Sequence, residues 1–101
     1  MDKYKELFDR LTALLDSNPA EAVKQVKEID LPRPIDEFYN LQVVRAAILV
    51  DGGALTQQQD AIEDGITLFR ELYNKFPTAF LAYNLANGLA AAIGSPPRDD
   101  S

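Results

Sequence analysis

Apolar residues recur at helical spacing along most of the chain. Tyr4, Leu7, Phe8, Leu11, Leu14 and Leu15 form one stripe through residues 3–16, with Lys5, Glu6, Asp9 and Arg10 opposite, which predicts an amphipathic helix. Asp16-Ser17-Asn18-Pro19 predicts a turn that also starts the next helix. Asn18 suits the N-cap, Pro19 the first helical position, and Glu21 the far side of a capping box. Ala22, Val23, Val26 and Ile29 then stripe a short second helix over residues 19–30, with Lys24, Lys27 and Glu28 facing water.

The prolines of Leu31-Pro32-Arg33-Pro34 stop that helix. A third is predicted from Ile35 to Asp51. It is apolar from Val43 to Val50 except for Arg45, so it is expected to be covered on several sides. Asp51-Gly52-Gly53 predicts its end, with a glycine taking the left-handed C′ conformation. Thr56 and Gln59 predict a capping box for a fourth helix reaching Lys75 or Phe76, striped by Ile62, Ile66, Phe69, Leu72, Tyr73 and Phe76. Gly65 falls in this stripe, where glycine costs about 1 kcal/mol against alanine, so a close helix approach is expected there. Pro77 closes the helix and Thr78 caps a fifth, Thr78 to Gly94. Residues 95–101 read as a polar, proline-broken, disordered tail. Alternation of strand length is absent, so the expected fold is all-α: five helices in antiparallel hairpins.

The fifth helix changes the picture, because its 17 positions contain no charge in a chain that is 26% charged. Leu85 is expected in its seam with the fourth helix. With 101 residues the chain is expected to form one domain over residues 1–94. It has neither His nor Cys, which removes the commonest general base, thiolate metal sites and a Cys nucleophile. No metal site, cofactor or enzymatic activity is expected. A net charge of −6 and a pI near 4.4 argue against nucleic acid and membrane as partners. Met1 to Glu6 opens an amphipathic helix and not an apolar secretory segment, so a cytoplasmic location is expected.

Tyr83-Asn84-Leu85 repeats Tyr39-Asn40-Leu41 at a separation of 44 residues. In the first helix pair, Tyr4, Leu7, Leu11, Ala20 and Pro32 fall at spacings used by tetratricopeptide repeats (TPR). Phe38-Tyr39-Asn40-Leu41 matches the start of a second repeat's helix A, and Gly65, Phe69 and Leu72, counted back from Pro77, match its helix B. Ala82 to Asn87 matches the opening of a third. Residues 3–94 therefore resemble that family, which implies a TPR-like α-solenoid of about two and a half repeats. Lys24, Lys27 and Gln42 depart from the pattern, the second repeat is about ten residues longer than the 34-residue period, and the third lacks helix B.

In this family the A helices line a groove for extended peptides or partner helices. The resemblance places Asn40 and Asn84 in that groove, with Asn87 one turn further and Tyr39 and Tyr83 flanking; an amide both donates to and accepts from a peptide backbone. Arg45 either faces the groove and takes a partner carboxylate, or pairs with Asp51, Asp60 or Glu63. A clamp for an acidic carboxy terminus is not expected, since Asp9, Phe80 and Asn84 stand where its Asn and cations would be. The expected function is a non-catalytic protein- or peptide-binding scaffold with a groove on helices one, three and five. The alternatives are a homodimerisation domain through residues 78–94, or the amino-terminal part of a larger protein.

Overall fold

Capping chemistry sets the first boundary. α1 (Asp2–Ser17) and α2 (Pro19–Glu28) are separated by Asn18 alone. Asn18 Oδ1 accepts a hydrogen bond from the Glu21 backbone N–H at 3.2 Å, and Pro19 occupies the first helical position. The Glu21 carboxylate turns to Gln25, whose amide donates to it at 2.8 Å. The computed structural model describes residues 2–29 and 39–94, and all regular structure among them is helical. The expected proline break at 31–34, the start of the third helix at 35–38 and the 95–101 tail lie outside the described residues.

α3 (Tyr39–Thr56) runs past the point where the sequence predicts its end. Gly52 and Gly53 are buried inside the helix, and no glycine adopts a positive φ. Their role is close approach. A Cβ on Gly52 would lie 2.5 Å from Val23 Cγ2, and one on Gly53 would lie 3.0 Å from the Gln58 carbonyl oxygen and the Ile62 nitrogen. The left-handed residue is Gln57, at φ 59°. The Gln58 N–H donates to Gly53 O at 2.8 Å, the bond that closes a Schellman turn with Gln57 at C′. Because a left-handed residue with a Cβ is strained by about 1–2 kcal/mol, Gln57→Gly is expected to stabilise the fold by about 1 kcal/mol. An upward shift of the guanidinium midpoint checks this.

The expected Thr56–Gln59 box is also replaced. Thr56 Oγ1 donates back to Gly52 O at 2.7 Å, and α4 (Gln59–Lys75) begins after Gln58, which makes no side-chain cap bond. The last boundary matches expectation, since Thr78 Oγ1 accepts from the Leu81 N–H at 3.2 Å before α5 (Ala79–Gly94).

Contacts along the helices fix their directions. Tyr39 meets Phe76, a Cβ on Gly65 would meet Val50 and Ala46, and Gly53 lies beside Ile62, so α3 and α4 are antiparallel. Gly88 beside Ile66, and Gln59 Nε2 donating to Ala92 O at 3.4 Å, make α4 and α5 antiparallel too. Gly52 at the far end of α3 approaches Leu15 near the end of α1 and Pro19 at the start of α2. Thus α3 and α5 run one way and α4 the other. α3 packs on all four other helices.

Two apolar clusters share α3. Leu41, Ile48 and Leu49 pack with Phe8, Leu11, Val23 and Val26, while Ala46 and Val50 pack with Phe69, Leu72 and Leu81. Both sides of the helix are covered, which accounts for its nearly unbroken apolar run. Gln42 is the exception. It is 3% exposed, and its side-chain amide makes no hydrogen bond among the described residues. A buried unpaired amide is penalised by about 1–3 kcal/mol. Gln42→Leu, of similar volume, is therefore expected to raise the urea midpoint, and a lower midpoint would show that the amide is satisfied in solution.

Lys27 Nζ donates to Asp60 Oδ2 at 2.6 Å and ties α2 to α4. This hydrogen bond holds the Asp60 carboxyl below the usual range. A depressed carboxyl stabilises the fold above its unfolded value, near 3.9, and loses that contribution as pH falls through the folded value. Lys27→Gln is expected to flatten the stability profile on that acid limb while changing little at neutral pH, since the pair is solvent-screened. Thermal melts across the acid range read this out. Asp51 shifts the other way, because partial burial raises its carboxyl.

Candidate interaction surface

α5 carries two apolar stripes. The inner one, with Leu81 and Gly88 buried and Leu85 partly so, docks on α3 and α4. Leu85 thus lies in the seam as expected, though Leu81 is its fully covered residue. The outer stripe is Ala79, Tyr83, Ala86, Ala90 and Ile93, all exposed. Phe80 (55% exposed), Tyr83 (67%) and Ile93 (80%) are large apolar side chains left in water, and Leu89 stands beside them. The arc between the two stripes holds Asn84 and Asn87, and α5 carries no charge.

The sequence-predicted site residues fall into different environments. Tyr39 is half-buried, with its ring edge-on to Phe76 (centroids 4.9 Å apart, planes at 76°), so it pins α3 to the end of α4. Tyr83, its counterpart in the repeat, stands in solvent. Asn40 and Asn87 are exposed and Arg45 is half-buried. Asn84 is partly covered, and its amide N–H donates to Phe80 O at 2.8 Å within the helix. Of the carboxylates considered for Arg45, Asp60 is engaged by Lys27. Tyr83, Asn84 and Asn87 share α5 with Phe80, whereas Tyr39, Asn40 and Arg45 lie on α3.

Leu89 and Ile93 were not singled out by repeat matching, because they fall beyond the motif's opening turn. The signal that finds Ile93 is the second stripe, spaced 4, 3, 4 and 3 through residues 79, 83, 86, 90 and 93, and Leu89 lies one turn before it. Among the described residues no helix is long and apolar enough to cross a membrane, and no group of three or more acidic side chains is placed to hold a metal ion. Comparison with protein-family models, with curated proteins and with solved structures finds no match.

Proposed function

We propose that this chain is a non-catalytic, TPR-like helical-repeat module that binds protein or peptide partners. Its contact surface is the solvent side of α5, continued along a groove on α1, α3 and α5 that includes Asn40, Asn84 and Asn87. The observation that carries the reading is the exposure of Phe80, Tyr83 and Ile93 on a helix without charge. Contiguous apolar side chains left in water mark interaction sites, and tyrosine supplies large contact area at small entropic cost. Exposed amides beside that area supply the donors and acceptors an extended backbone needs.

Selection of peptides from a displayed random library against the chain tests the reading. Selected peptides are expected to lose about tenfold or more in affinity on Tyr83→Lys, and several-fold on Asn84→Ala or Asn40→Ala. Peptides that bind all three variants as tightly as the parent would remove both α5 and the groove from the site.

A further inference from the structure

We propose that the solvent-facing stripe of α3 receives a partner peptide through a lysine or arginine, whose charged head meets Asp51 and whose aliphatic stem lies on Leu55. This rests on the reading of the chain as a peptide-binding module and names the chemistry of its partner.

The stripe follows from helix geometry. Asn40, Val44, Ala47, Asp51 and Leu55 are spaced 4, 3, 4 and 4, so at about 100° per residue they share one narrow arc of α3. To one side of that arc lie Leu41 and Ile48 of the first cluster, with Gly52 facing Leu15 and Val23. To the other lie Val43 and Val50, packed in the second. Val44 leans on the first cluster and Ala47 on the second, each half-buried, while Asn40, Asp51 and Leu55 are exposed. The stripe therefore marks the line where the two clusters meet solvent. Near its carboxyl-terminal end a carboxylate and a leucine that is 66% exposed stand one turn apart, with Cβ atoms about 6 Å from each other.

Charge decides what completes this pair. Asp51 has no ion pair or hydrogen bond among the described residues. Because Gly52 meets Leu15, the adjoining Asp16 stands at the same end of the stripe, exposed and likewise unpaired. Neither α1 nor α3 has a basic residue in its last turn, and α5 carries no charge. Lys5 is held by Asp9 and Lys27 by Asp60. Partial burial raises the Asp51 carboxyl, so a cation set against it offsets a desolvation penalty that the free chain bears. The net charge of −6 attracts such a partner at longer range, whereas an acidic or phosphorylated segment would oppose Asp16 and Asp51 as like charges. A carboxylate beside an exposed leucine is matched by one kind of side chain, a cation on a long apolar stem.

Peptides selected from the displayed random library test the proposal. They are expected to be enriched in lysine and arginine, and their Kd, read by fluorescence anisotropy, should rise with salt. Asp51→Asn is expected to raise the Kd about fivefold or more, and Asp51→Lys further. Replacing the critical peptide cation by glutamate should restore binding to Asp51→Lys and to no other form of the chain. Leu55→Ser should weaken binding several-fold. Asp64→Asn, which removes an equal charge from the solvent side of α4, should change the Kd less than about twofold. Positions 51, 55 and 64 are exposed, so all four variants should keep the parent's circular dichroism and melting. Selected peptides without cation enrichment, or an Asp51→Asn chain that binds them as Asp64→Asn does, would overturn the proposal. If those peptides still lose affinity on Tyr83→Lys or Asn84→Ala, the module reading stands and only the cation site is removed. A library that yields no binder overturns both.

Discussion

Leu81→Asp is expected to abolish the cooperative thermal transition or lower the melting temperature by more than about 15 °C. Leu81 is wholly buried among Ala46, Phe69 and Leu72, so it joins α5 to both α3 and α4. Truncating such a leucine costs about 2–5 kcal/mol, and a carboxylate in the same place adds the penalty of an uncompensated buried charge. α5 has no cation to pair with it. The sum rivals the roughly 5–15 kcal/mol that holds a whole domain together. The neighbouring Ala82 is exposed, so Ala82→Asp adds the same charge with an expected change of only a few degrees. Leu85→Asp should fall between them, because Leu85 is only partly buried. Circular dichroism melts of the three variants give the order. Leu81→Asp melting within a few degrees of the parent would mean that α5 is not docked through this face.

That ordering also marks where the sequence could be read and where it could not. The 3/4 stripes predicted α1, α2 and α4, whose buried arcs show directly in residue spacing, whereas α3 and α5 showed as apolar runs between breakers and caps. Asn18 and Thr78 were legible as caps because their side chains act on backbone donors two or three residues away. The end of α3 was not. A glycine pair after an aspartate has the local look of a C-cap, but Gly52 and Gly53 answer to Val23 and Ile62, far along the chain. The turn itself falls at Gln57, where no local preference announces a positive φ. At the candidate surface, the repeat of Tyr-Asn-Leu suggested equivalence between Tyr39 and Tyr83. Matching tripeptides need not have matching neighbours, and here α4 supplies Phe76 to cover Tyr39 while no described element covers Tyr83.

Gly65 gives the sharpest test of helix spacing. In an exposed helix, glycine to alanine stabilises by about 0.5–1 kcal/mol, because the unfolded chain loses freedom. At Gly65 the sign is expected to reverse. A Cβ there would lie 2.6 Å from Val50 Cγ2, 2.9 Å from Ala46 O and 3.1 Å from Val50 N. Two of those three atoms belong to the α3 backbone, so no rotamer change relieves them; α3 and α4 must separate. Forcing one methyl into such a contact typically costs about 1–3 kcal/mol, and the seam between these helices carries much of the second cluster. Gly65→Ala is thus expected to lower the unfolding free energy by about 0.5–2 kcal/mol once the propensity gain is subtracted. Gly88→Ala is the matched comparison. Its Cβ would meet Ile66 Cγ1 at 3.0 Å and Val50 Cγ2 at 3.5 Å, both side-chain atoms that can shift by a few tenths of an ångström. There the propensity gain and the repacking cost should nearly cancel. Urea unfolding of both variants separates packing from propensity, and a Gly65→Ala protein as stable as Gly88→Ala would show that α3 and α4 do not approach this closely in solution.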